Sequence, residues 1–178
     1  MTNECIMAGF GGQGLLFSGK VLAYAGLLEG KELSWLPSYG PEMRGGTCNC
    51  SVIVSDSPVG SPIIAHPNIL MVMNEPSLDK FEDTVAPGGV IFVDSSLIAR
   101  KVKRTDVEVV YIPATQMAKE MEATSLANMI ILGAIVAKLK CVKYETMIDA
   151  LKHTISARKA NLLELNLKAV DAGAKFIK

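Results

Sequence analysis

The sequence predicts an α/β fold: a three-layer sandwich with a mainly parallel sheet and a run of C-terminal helices. Three observations carry that expectation. Short apolar runs alternate with segments of helical period from Glu4 to Ile112. A glycine-rich turn, "AGFGGQG", joins the first apolar run to the first helical one. Beyond Ile112 only helical patterns remain.

Glu4–Ala8 reads as a buried strand that enters the turn. Leu15, Leu16, Val21, Leu22, Ala25 and Leu28 then recur at helical spacing, and Gly30 closes that helix as a C′ glycine does. Lys31–Leu36 returns as a strand, and the right-handed crossover rule makes it the parallel neighbour of the first. "PSYGPEMRGG", Pro37–Gly46, is a loop, because two prolines and three glycines prevent a regular element. Thr47–Ser55 is the next strand; no helix separates it from its predecessor, so antiparallel pairing is expected there and would make the sheet mixed. After the turn-rich 56–67 come strand Ile69–Met73, a helix from Pro76 to about Val85, and strands Val90–Asp94 and Val107–Ile112. Helices are expected at about Thr115–Glu122, Ser125–Leu139, Tyr144–Lys152 and from Ala157 onward. The last carries the stripe Leu162, Leu165, Ala169, Val170, Gly173 and Phe176.

Composition bounds the function. A chain of 178 residues fits one domain, 1–178, and 49% hydrophobic with 20% charged residues describes a globular protein. Lys+Arg and Asp+Glu balance at 18 each, which excludes a nucleic-acid binder held by bulk charge. No signal peptide is legible, and Leu126–Leu139 is too short to span a bilayer, so no membrane contact and a cytoplasmic location are expected. Cys5, Cys48, Cys50 and Cys141 form no C-x-x-C pair, and His66 and His153 are far apart. No metal site is expected, and the cysteines read as buried free thiols.

The turn is the first candidate site. Gly9, Gly11 and Gly14 fit G-x-G-x-x-G, with Gly12 an extra glycine, which makes the sandwich Rossmann-like. A dinucleotide site also needs a carboxylate at the end of the second strand. That strand ends in Leu36-Pro37-Ser38, and Glu32 stands at its wrong end. A phosphate loop fails as well, since Gly19-Lys20 leads to Val21. Two readings stay open: backbone N–H groups of Gly11, Gly12 and Gln13 forming an anion site at a helix N-terminus, or glycines that only allow tight strand–helix packing.

The loop after the second strand belongs at the same carboxyl edge. Glu42 and Arg44 give it opposite charges, Tyr39 an aromatic face, and Gly45-Gly46 a close backbone approach. Ser38, Tyr39, Gly40, Pro41, Glu42 and Met43 are therefore expected to face a partner or an active site. The alternative is an exposed turn with a solvated ion pair.

Taken together, "GFGGQG", "WLPSYGPEMRGGTCNCSVIVSD", "GSPI" and "MNEPSLDKF" resemble the gamma subunit, or gamma domain, of 2-oxoacid:ferredoxin oxidoreductases. The resemblance runs along nearly the whole chain and is strongest from Ile6 to Phe81. The Phe10-Gly11 opening, in place of a pyruvate-type "GRGGQG", is similar to the 2-oxoglutarate and branched-chain members. The resemblance implies oxidative decarboxylation of a 2-oxoacid to acyl-CoA with ferredoxin as electron acceptor. It further implies that thiamine diphosphate, Mg²⁺ and iron–sulfur clusters belong to alpha, beta and delta partner subunits. This chain would bind no cofactor alone, hold no catalytic residue and show no activity alone. Its part would be a CoA-facing surface: Gly11, Gly12 and Gln13 at the turn and Arg44 in the loop, a guanidinium suiting a phosphate as a bidentate partner. Asn128 is a third candidate, in the first turn of a helix capped by Ser125; its alternative is a polar side chain satisfying nearby backbone groups. Glu75, Lys20 and the methionines read more simply as helix start, solvated charge and core. Competing functions are a pyruvate or indolepyruvate oxidoreductase subunit, or a free-standing Rossmann-type nucleotide-binding module. In isolation, an apolar face built for partners could pair with a second copy.

Overall fold

The computed structural model describes residues 1–38, 47–155 and 160–177. Among these residues six strands form one sheet: β1 (Thr2–Phe10), β2 (Glu32–Ser38), β3 (Thr47–Ser55), β4 (Ile69–Val72), β5 (Val90–Asp94) and β6 (Glu108–Ile112). Their order is β2-β3-β1-β4-β5-β6. The helices are α1 (Leu15–Leu28), α2 (Glu75–Phe81), α3 (Ala114–Glu120), α4 (Ala127–Leu139), α5 (Tyr144–Thr154) and α6 (Ala160–Ile177). The α/β sandwich with a mixed sheet is as the sequence indicates.

One expected pairing is wrong. β2 is not the neighbour of β1, because β3 lies between them and pairs antiparallel with both. The eight residues between Ser38 and Thr47 are too few for a parallel crossover, so β3 runs back along β1 over the full register from Thr2↔Ser55 to Phe10↔Thr47. That insertion buries Cys50, Val52 and Val54. β2 keeps the direction of β1 but stands one strand further out. The other pairs, β1–β4, β4–β5 and β5–β6, are parallel.

Alternation along the strands sorts the core into two layers. Cys5, Met7, Met71 and Phe92 face one side with residues of α1, α3, α4 and α5. Ile6, Ala8, Leu70, Val72, Ile91 and Val93 face the other, under Leu78 of α2, Val85 and Ile98. β1 is thus followed by a helix on one face of the sheet and β4 by a helix on the other.

The helices refine several expected boundaries. α2 starts at Glu75 because Asn74 Oδ1 accepts the Ser77 N–H at 2.8 Å; it then tightens into a 3-10 turn over Glu82–Thr84. Ser125 is not the cap of α4. A 3-10 turn over Thr124–Leu126 precedes that helix, Leu126 stands at its N-cap, and no side chain caps it. The physical reason is local: the Leu126 N–H is already bonded to Ala123 O at 2.9 Å, which winds the chain before the helix begins. From Ala127 to Val136 every residue of α4 is buried, so the helix is covered all round, with Asn128 its one polar side chain in that run.

The stripe expected on α6 holds in its middle, where Ala169, Val170 and Gly173 are buried, and fails at its two ends. Leu162 and Phe176 are 38% and 45% exposed, while Asn166, Ala169, Val170 and Ala174 are buried. The cause is contact with α4. A Cβ at Gly133 would run into the Val170 backbone, and one at Gly173 into the Ile130 carbonyl, so the two helices touch backbone to backbone. Among the described residues no helix is long and apolar enough to cross a membrane.

Candidate functional site

The turn between β1 and α1 is built by glycines at positive φ. Gly12 has φ +95 and Gly14, the N-cap of α1, has φ +76; L side chains rarely adopt either. Above Gly12 there is open space, with nothing within 4 Å of an added Cβ. A Cβ on Gly14 would lie 2.6 Å from Asn128 Nδ2. Tight packing therefore explains Gly14 and leaves Gly12 facing outward. Among the described residues the N–H groups of Gly11 and Gly12 donate to nothing, and no side chain caps α1. These donors, at the positive end of a fourteen-residue helix, suit an anion.

Gln13 does something else. Its N–H bonds Phe10 O at 3.3 Å, its Oε1 accepts the Phe10 N–H at 2.6 Å, and its Nε2 donates to Met73 O at 3.1 Å. The carboxamide thus spans the carboxyl ends of β1 and β4. Those are the two strands between which the winding reverses, where an open α/β sheet ordinarily leaves a crevice for a nucleotide. Gln13 bridges that crevice. It agrees with the missing carboxylate at the end of β2.

Asn128, 2% exposed, sits in the first turn of α4 and reaches the start of α1. Its Nδ2 donates to Gly14 O at 2.9 Å and to Ser18 Oγ at 2.8 Å, so it clamps α4 onto the turn. Gly12, Gly14, Phe17, Asn128, Ile155 and Asn166 help line one cavity of about 470 Å³ beside the turn. The structure so brings Gly12 and Asn128 together, with Gly11 next to them in the chain and Gln13 turned toward β4. Asn166 is the residue that sequence reasoning missed. Its only signal was an amide standing between Leu165 and Ala169 in an apolar stripe.

Ser38 closes β2 opposite Asn49, and Thr47 opens β3 opposite Phe10. Both residues that flank segment 39–46 therefore stand at the carboxyl edge, as the sequence suggested. Tyr39, Gly40, Pro41, Glu42, Met43 and Arg44 themselves lie outside the described residues.

A larger cavity, about 610 Å³, opens at the far end of α1. There Lys175 pairs with Asp171, Lys31 with Asp56, and the Lys143 N–H bonds Glu29, so those groups are satisfied within the chain. The smaller cavity, beside open backbone donors, is the better candidate.

The four cysteines are free and buried. Burial pushes the Cys5 thiol well up, Cys141 to about 11 and Cys50 to about 12, so these stay protonated at neutral pH. Among the described residues no three His, Cys, Asp or Glu side chains converge as a metal site. Among the described residues no ligand set of the kind that holds an iron–sulfur cluster is brought together.

Comparison with known proteins agrees with this architecture. The family described as pyruvate ferredoxin/flavodoxin oxidoreductase matches residues 4–176. Ketoisovalerate oxidoreductase subunit VorA of Methanothermobacter thermautotrophicus is 40% identical over 171 residues, 96% of this chain. This chain spans only 35% of the length of that relative. 2-Oxoglutarate synthase subunit KorC of Methanocaldococcus jannaschii is 35% identical over 92% of this chain and 90% of its own length. The crystal structure of a keto/oxoacid ferredoxin oxidoreductase gamma subunit from Geobacter sulfurreducens superposes with a TM-score of 0.85 at 30% identity, covering 98% of each chain. With the family matched from β1 to the end of α6, the chain belongs to the pyruvate ferredoxin/flavodoxin oxidoreductase family.

Proposed function

We propose that this chain is the gamma subunit of a multi-subunit 2-oxoacid:ferredoxin oxidoreductase and supplies part of its CoA-facing surface. In the reaction a 2-oxoacid, CoA and oxidised ferredoxin give acyl-CoA, CO₂ and reduced ferredoxin. The names of the relatives favour 2-oxoglutarate or a branched-chain 2-oxoacid as substrate. Thiamine diphosphate, Mg²⁺ and iron–sulfur clusters would be held by alpha, beta and delta partners, and no catalytic residue is assigned to this chain. Cytoplasmic residence fits its buried, protonated thiols.

The observation that carries the reading is the open pair of N–H groups at Gly11 and Gly12, with the anchors of loop 39–46 beside them. Backbone donors at a helix N-terminus hold a phosphate oxygen, and Arg44 would add a charge-assisted contact to a phosphate. Asn128 would set the position of the turn. The competing free-standing nucleotide module is disfavoured by Gln13, which bridges the crevice such a module would use.

Reconstitution of the complex tests the proposal. Adding the chain should restore CoA-dependent ferredoxin reduction, and Arg44→Gln should raise KM for CoA about tenfold with kcat nearly unchanged, the signature of lost uniform binding. Full activity without this chain would sink the reading. Tight binding of NAD or FAD to the isolated chain, measured by calorimetry, would favour the nucleotide module instead.

A further inference from the structure

Both ends of the described chain come to one edge of the molecule. At the start of β1 the Met1 ammonium pairs with Asp56 at 2.7 Å, and Asp56 also holds Lys31 at 2.9 Å. Lys31 lines the larger cavity, about 610 Å³, at the far end of α1. Asp171, Ala174 and Lys175, from the last two turns of α6, line it as well. The two ends therefore stand beside that cavity, at the amino edge of the sheet and away from the glycine turn.

The lengths of the relatives give this placement a meaning. The match to VorA takes in 96% of this chain but only 35% of VorA, so the rest of that polypeptide lies beyond one or both ends of the matched segment. KorC, 90% of which is matched, carries almost no such remainder. The same domain thus occurs with and without a larger neighbour in its own polypeptide. Where the neighbour is joined, it starts from the edge that holds the cavity.

The surface there has the anatomy of an interface. Val136, Val142 and Ala174 make an apolar floor, and Tyr144 stands half-buried beside them. Around the floor lie charged side chains, and an apolar centre with a polar rim is how subunits meet. Tyrosine is among the residues that carry most of the binding energy at such contacts. Lys175 is spoken for by Asp171, and Lys31 by Asp56. The exposed Lys140 and Lys143 form no ion pair among the described residues, with Glu145 the unpaired carboxylate on the same rim.

We infer that the amino edge around this cavity is the docking surface for the polypeptide that corresponds to the remainder of VorA. That partner sets an apolar side chain on the floor and carboxylates opposite Lys140 and Lys143. The inference rests on the gamma-subunit reading and adds the face by which the chain joins its complex, one that leaves the glycine turn clear at the opposite edge.

The full chain is titrated into the other subunits of the complex, and assembly is followed by sedimentation. Ala137→Arg, which sets a long cation on the half-buried lining of the cavity, should weaken assembly at least about tenfold while the Tm of the chain alone is unchanged. Lys140→Glu should weaken it less and make it less sensitive to salt. Unchanged assembly in Ala137→Arg overturns the inference. Should that variant fail to fold, hydrogen exchange in the unmodified chain decides: amides of 139–145 and 171–177 should exchange more slowly in the complex, and unprotected amides there overturn it equally. A dimer of the chain alone that Ala137→Arg dissociates also overturns it, since the occupant is then a second copy. The wider reading fails differently. If the unmodified chain joins none of the subunits, both fall; if it joins them and restores ferredoxin reduction while Ala137→Arg joins them as tightly, only the docking face falls.

Discussion

Single side chains do two kinds of work in this molecule, and Glu82 shows the structural kind. It is 3% exposed and accepts the backbone N–H groups of Lys103 and Arg104, while Arg100 pairs with it at 2.7 Å. Burial pushes its carboxyl up, but the Lys103 N–H and the Arg100 guanidinium outweigh burial and hold it below the usual carboxylate range. The folded value lies below the unfolded one, so the stabilisation is complete above the unfolded value and is lost as pH falls through the folded one. Glu82→Gln should therefore cost about 2 kcal/mol at neutral pH, with Arg100 left to pair with the more exposed Asp79 alone. In urea unfolding that gap should narrow below about pH 4; a gap independent of pH would show that charge is not the cause. Gln13 works by geometry instead, tying the turn to β4. The sequence marked it as a donor at an anion site, because spacing cannot show that its N–H is already bonded to Phe10.

At the scale of elements, the turn and the α4–α6 pair decide where a site can exist. α1 opens with uncapped backbone donors, and α4 presses Asn128 against Gly14 from the side. α4 can do so because α6 supports it through direct backbone contact at Gly133 and Gly173. Neither contact partner is a flexible side chain, so a methyl group there must move a helix. Gly173→Ala should lower Tm by roughly 5–10 °C, the consequence of overpacking by about 2–3 kcal/mol in a chain of this size. It should also loosen the cavity, since Asn166 lies two turns back on the same helix. Thermal unfolding by circular dichroism reads the first effect, and an unchanged Tm would mean that the helices separate freely. The sequence placed all six strands and the helices to within a few residues. It misjudged only the ends of the stripe of α6, Leu162 and Phe176, because a helical wheel does not show that glycine lets a neighbour's backbone in.

For the whole molecule, the exposed apolar residues Leu27 and Leu28 lie at the end of α1, the helix that packs beside the edge strand β2. A chain that works inside a larger assembly leaves such a face uncovered when alone. The isolated chain should therefore self-associate at high concentration and Leu27→Glu should return it to monomer in sedimentation; a monomer at every concentration would count against an apolar partner face here. Much of the architecture follows from local pattern, since alternation, turn residues and helical period are properties of neighbours in sequence. The family motifs, the absence of a carboxylate after β2 and the anchoring of the loop at the carboxyl edge were equally legible. Tertiary structure alone decided the rest. It placed β3 between β1 and β2, turned Gln13 across the reversal of winding, and brought Asn166 to the cavity beside Asn128. Each of these joins residues far apart in the chain, and the identity of a distant partner is set by packing, which no local spacing records.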